Sequence, residues 1–185
     1  MQELYKSFGL IAVLFIIAFG IFALLKWPAQ KGRSFSEHVA ERRTSWLLFS
    51  SVFSVVTVLY YLFLFMWFGP HYHLSFVYYA LLFVAFVCQM ILAWWPPRTH
   101  TKSDLHTVMA VIVACIMPIL LADIIITAQP VVSLFLVISS ILAIFLCALL
   151  MILYGFVPAA RRHYIFYEAT YFICFWIAII LLTYA

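Results

Sequence analysis

Six apolar runs, each close to the length that crosses a lipid bilayer, constrain this chain more than any motif it carries. A helix needs about 20 predominantly apolar residues to span hydrocarbon. The runs fall at about 8–26, 45–68, 73–95, 106–128, 132–155 and 164–184. Of the 185 residues, 69% are apolar and 9% charged, whereas a soluble domain carries about 25% charged residues. The spacing predicts an all-α integral membrane protein, one domain of six transmembrane helices paired as three hairpins. The first run is followed by Lys26, Trp27 and Pro28 rather than by a small-residue cleavage site, so it reads as a retained span, not a signal peptide.

Charge orients the spans. Lys26, Lys31, Arg33, Arg42, Arg43, Arg98, Lys102, Arg161 and Arg162 lie in or beside three of the connections, and only Lys6 belongs to the other side. Short basic loops stay in the cytoplasm, which predicts cytoplasmic basic loops with both termini outside (N-out/C-out). The net charge of +4 suits an anionic inner leaflet and calls for no nucleic acid. Trp27, Trp46, Trp67, Trp94 and Trp95 near the span ends fit an aromatic belt. Gly69-Pro70-His71-Tyr72 and Ala128-Gln129-Pro130 read as tight turns.

The basic connections repeat. The first reads Trp27-Pro28, Arg33, then Ser34-Phe35-Ser36-Glu37-His38, and the second Trp95-Pro96, Arg98, then Thr101 through Asp104-Leu105-His106. Pro to His is ten positions in both, and both hold a capping-box pattern, Ser34 with Glu37 and Thr101 with Asp104. The third is shorter, Phe156-Val157-Pro158 then Arg161-Arg162-His163. Proline stops, interfacial Trp and Arg, and Ser or Thr caps have local causes. A histidine at each return of the chain does not.

Three chemistries fit these polar residues. Arg33, Arg98, Arg161 and Arg162, with His38, His106 and Glu168 shaping the site, suit anionic lipid headgroups or a membrane partner. Convergence of His38, His106 and His163 with a carboxylate gives a Zn site and a metal-dependent membrane hydrolase, although no two ligands sit one turn apart on one helix, as a specific metal motif requires. Asp123, with Gln89 and Glu168 as the other intramembrane polar groups, suits a small transporter or channel. Solvated interfacial side chains are the alternative to all three. No nucleophile elbow, CxxC or phosphate loop is present. Cys88, Cys115, Cys147 and Cys174 lie one per run and suit small buried hydrophobes. The expectation is therefore a non-enzymatic lipid- or partner-binding protein, without a cofactor, either alone or as a homo-oligomer.

Within the spans, Ser50, Ser51, Ser54 and Thr57, and Ser139 with Ser140, mark close helix contacts. Pro118 is expected to kink the fourth helix and free the Ala114 carbonyl.

The run Trp94-Trp95-Pro96-Pro97 through Asp104-Leu105-His106, with Pro118 twelve residues on, resembles a segment of prokaryotic six-helix membrane proteins of unknown function. These are related to the animal damage-regulated autophagy modulators and GPI-anchor remodelling proteins. Ser34-Phe35-Ser36-Glu37-His38 resembles that family's first-loop motif, and Arg161-Arg162 to Glu168 its last-helix start. The resemblance implies six spans, a link to membrane or lipid processes, and importance for Ser36, Glu37, Pro96, His106 and Glu168. It also implies a non-cytoplasmic first loop, opposite to the orientation that the charges predict.

Overall fold

The computed structural model describes residues 2–27, 34–95, 105–128, 134–157 and 164–184, and every regular element among them is helical. In chain order these are α1 (Gln2–Lys26), α2 (Phe35–Val39), α3 (Arg43–Phe63), a π-helical turn (Leu64–Phe68) leading into α4 (Gly69–His71), α5 (Phe76–Trp94), α6 (Leu105–Ala128), α7 (Leu134–Phe156) and α8 (Tyr164–Tyr184). Four stretches are long and apolar enough to cross a membrane: Gln2–Lys26, Arg43–His71, Phe76–Trp94 and Leu105–Thr127. The apolar stretches described in α7 and α8, Val137–Leu153 and Glu168–Tyr184, are shorter.

The expected turn at Gly69–Tyr72 is instead a continuation of α3. Pro70 has no N–H to give a helical carbonyl, and the chain widens by one residue per turn to absorb it. Gly69 N–H reaches back five residues to the Leu64 carbonyl, whereas Leu74 N–H to the Gly69 carbonyl at 3.0 Å and His73 N–H to that of Pro70 at 3.3 Å close the helix end as a Schellman motif. The reversal comes at His73, which takes a left-handed conformation with φ 51°. Ser75 then caps α5, its Oγ accepting Tyr78 N–H at 3.2 Å, so this helix starts at Phe76 rather than at 73.

Consecutive long helices pack side by side: α1 on α3, α3 on α5, α5 on α6, α6 on α7, α7 on α8, and α8 back onto α1. The main core includes Phe63, Phe68, Tyr78, Leu120, Leu121, Phe175 and Ile179, all fully buried. Gly9 sets the approach of α1 to α3, since a Cβ there would lie 2.7–2.8 Å from Phe63 ring carbons. Large apolar side chains such as Leu14, Val55, Phe83, Ile126, Phe145 and Ile177 face outward. In water such a surface would be a severe aggregation hazard, whereas lipid is a fitting solvent for it.

Not every packing expectation survives in detail. Ser50 and Thr57 are buried, but Ser51 faces outward, one residue being 100° of helical turn. Ser54 Oγ accepts the indole N–H of Trp94 at 2.9 Å. Ser140 is buried, and Ser139 only partly. Trp46 and Trp67 pack inward, against Phe49 and Phe63, while Trp94 and Trp95 are exposed as a belt would require.

The start of α1 and the end of α8 lie together. Tyr184 Oη donates to the Lys6 carbonyl at 3.2 Å, and Lys6 Nζ stands 5.2 Å from the Trp67 ring centroid and 4.9 Å from that of Tyr184. Tyr72 Oη donates to the Leu182 carbonyl, so the α4 turn joins the same end.

Pro118 sits inside a continuous α6. It cannot donate to the carbonyl four residues back, that of Ala114, and this carbonyl instead accepts the hydroxyl of Tyr171 from α8. An unmet carbonyl in an apolar core costs about 1–3 kcal/mol. Tyr171→Phe is therefore expected to lower thermal stability in the wild-type background. In a Pro118→Ala background, where residue 118 can again bond Ala114, the same change is expected to cost much less. Equal costs in the two backgrounds would show that the pair is not coupled.

Candidate functional site

Where the chain returns after α1 and after α5, the same device closes both loops. Trp27 and Trp95 each give their N–H to the last helical bond, to Ala23 and Ile91 at 2.8 and 2.9 Å. Their carbonyls then lack a helical partner, as at any helix C-terminus. The Trp27 carbonyl is met by His38 Nε2, and the Trp95 carbonyl by His106 Nδ1 at 2.8 Å. Each histidine stands eleven residues beyond its tryptophan, and both rings are buried. This gives the recurring histidine its physical cause in two of the three connections. His163 of the third lies outside the described residues, as do Arg33, Arg98, His100, Asp104, Arg161 and Arg162.

The two loops also bond to each other. His106 Nε2 stands 3.0 Å from Ser36 Oγ, which is 3.0 Å from Ser34 Oγ. A carbonyl only accepts, so His106 Nδ1 carries the hydrogen. In the neutral ring Nε2 is then the acceptor, and Ser36 donates to it. Ser36 has only one hydrogen, so Ser34 donates to Ser36 while its own oxygen accepts Glu37 N–H at 3.1 Å. The chain from Glu37 N–H through Ser34, Ser36 and His106 to the Trp95 carbonyl thus runs in one direction.

Short α2 carries this network because its first turn is a full capping box. Glu37 returns its carboxylate to Ser34 N–H at 2.8 Å. Next along, Phe35 N–H donates to Glu168 Oε2 of α8 at 2.9 Å, which holds α2 against α8. On the other flank Ser45 Oγ shares its one hydrogen between the Val39 and Arg42 carbonyls at 2.6 and 2.8 Å. Beneath, Val39 packs with Phe19, Ala23, Trp46 and Phe49. The segment 34–42 is thereby tied to α1, α3, α6 and α8.

Charge lies at the rim of this platform. Lys26, Arg42 and Arg43 are exposed, as is their acidic neighbour Glu41, and Lys26 Nζ stands over the Phe22 and Trp27 rings at 5.4 and 5.5 Å. The first turn of α3 has no acidic residue and no side-chain cap, so its positive dipole end and two arginines reinforce each other. An open apolar groove runs along α5 from Phe86 to Trp95 and reaches Leu105.

Other residues singled out by sequence fall elsewhere. Asp123 accepts from Ser75 Oγ at 3.1 and 3.3 Å, placing a carboxylate at the N-terminus of α5, where the dipole favours it. Gln89 is buried within α5. The four cysteines are free thiols, and Cys147 and Cys88 are buried. Among the described residues no three His, Cys, Asp or Glu side chains stand together as a metal would need. Ser36 and the two tryptophan carbonyls are the partners that motif reading does not single out as a set; the equal Pro-to-His spacing is the signal that points to them.

Removing the acceptor at 168 is expected to expose the weight of this network. Glu168→Leu leaves Phe35 N–H without its partner and should lower stability by about 1–3 kcal/mol. Glu168→Gln keeps an oxygen in place and should cost clearly less. Equal melting temperatures for the two variants would remove the bond from the account.

No protein-family model, curated protein or solved structure matches this chain.

Proposed function

We propose that this chain is a multi-pass membrane protein of six transmembrane helices, its basic face cytoplasmic and both termini outside, and that the basic face binds anionic lipid headgroups. The observation that carries this is the hydrogen-bonded segment 34–42 with Lys26, Arg42 and Arg43 exposed at its edges. Arg33, Arg98, Arg161 and Arg162 add their charge to the same face in this reading. His38, His106 and Glu168 act by fixing the platform, because their described bonds are internal. The groove from Phe86 to Leu105 offers an acyl chain an apolar track.

An anionic headgroup suits the electropositive start of α3 better than a zwitterionic one, by charge and by helix dipole together. Each surface Lys or Arg contributes about 1 kcal/mol toward an anionic membrane, or about fivefold in affinity. Binding of a fluorescent phosphatidylglycerol to the protein in neutral-lipid nanodiscs should therefore weaken about fivefold per change in Lys26→Gln, Arg42→Gln and Arg43→Gln, and weaken further with salt. Unchanged affinity in the triple variant would refute the headgroup reading. For sidedness, alkaline phosphatase fused at the C-terminus should be active in a bacterial host, and inactive when fused after Arg43. The reverse pattern would overturn the orientation.

A further inference from the structure

The bonds that join the two loops set a serine hydroxyl against an imidazole in the order that nucleophilic catalysis requires. His106 Nε2 stands 3.0 Å from Ser36 Oγ, and His106 Nδ1 stands 2.8 Å from the Trp95 carbonyl. Nδ1 carries the hydrogen, so the lone pair of Nε2 faces the serine. A nucleophile, a base within hydrogen-bond reach and a third group that orients the base make an activated serine. Here a backbone carbonyl stands where a carboxylate more often does. The two residues are 70 positions apart, so no local motif announces them.

The pair is held in place. Ser34 Oγ, itself fixed by Glu37 N–H, donates to Ser36 Oγ at 3.0 Å. Ser36 and His106 are both buried, and a hydroxyl so confined loses little further freedom on the way to attack.

A second feature points to a ligand. The open apolar groove that follows α5 from Phe86 ends at Trp95 and Leu105. Trp95 is the residue whose carbonyl orients His106, and Leu105 precedes His106 in the chain. At 1.5 Å per residue the α5 wall of the groove runs for about 13 Å, which suits an extended acyl chain. Trp94 and Trp95 are exposed at the end of α5, as residues at a membrane–water interface are. A carboxylic ester of a membrane lipid has the matching layout, an apolar chain that ends in a carbonyl near that interface.

We propose that Ser36 and His106 are the nucleophile and the base of a membrane-embedded esterase whose substrate lays its acyl chain in the α5 groove. Ser36 Oγ bonds to the acyl carbonyl carbon while its hydrogen passes to His106 Nε2. The ester C–O bond then breaks, and the departing alcohol oxygen takes that hydrogen. Water attacks the acyl-serine with Nε2 again as base, which releases the carboxylic acid and restores the serine hydroxyl. This activity goes beyond headgroup binding and does not depend on it, because neither residue supplies the charge that holds an anion.

The test treats the wild-type protein in nanodiscs with an uncharged alkyl fluorophosphonate, which modifies activated serines and spares ordinary ones. Peptide mass mapping is expected to place the adduct on Ser36 and not on Ser34, and His106→Gln to slow its formation about 100-fold or more. The protein should hydrolyse p-nitrophenyl octanoate about tenfold or more faster than the acetate, and Ser36→Ala should abolish this. An unmodified Ser36 in the wild-type protein overturns the proposal, whether or not the variants fold. Ester hydrolysis that survives Ser36→Ala, or equal rates for the two esters, overturns it as well.

Discussion

A backbone carbonyl that loses its helical partner, at a helix end or opposite a proline, needs a donor from elsewhere, and the packing of this chain is organised around such carbonyls. Trp27 and Trp95 end their helices and are followed in sequence by proline, so neither helix can continue. Pro118 withdraws a donor from the middle of α6. In each case the carbonyl is met by a side chain that also ties two elements together: His38 and His106 close their loops, and Tyr171 joins α8 to α6. Helix ends and a proline that would weaken a solitary helix become the points where neighbours lock.

The loop closures have a consequence for the basic face. Because His106 turns its second nitrogen to Ser36, the start of α6 and the capping box of α2 share one chain of hydrogen bonds. Glu168 adds α8. A five-residue helix could not hold its place by its own backbone bonds, and these contacts hold it. Arg42, Arg43 and Lys26 stand at the edges of this hydrogen-bonded segment, and under the proposed headgroup binding that anchoring would lower the ordering cost of the ligand contact.

Much of this was legible in the sequence and some was not. The long helices follow from hydropathy, and all but a few boundaries agree with the apolar runs to within a few residues. The boundaries that differ most are the start of α1, at Gln2 rather than at 8, the start of α5, which Ser75 caps late, and the end of α3, which the π turn carries through Gly69-Pro70. The equal Trp-Pro to His spacing marked both loops as repeats, yet a metal or headgroup role drew attention to the rings and away from the carbonyls eleven residues back. Only the fold brings those carbonyls within reach. Tyr171 opposite Ala114 was hidden for a related reason, since a tyrosine in an apolar run looks like any aromatic until its oxygen is placed.

The proton positions on the two loop histidines test the carbonyl-capping account most directly. Nitrogen-15 chemical shifts of His38 and His106 in the detergent-solubilised protein, near neutral pH, distinguish the two neutral tautomers. The account requires hydrogen on Nε2 of His38 and on Nδ1 of His106, because each of those nitrogens faces a carbonyl that can only accept. Opposite assignments, or rings that average both tautomers as exposed imidazoles do, would contradict it.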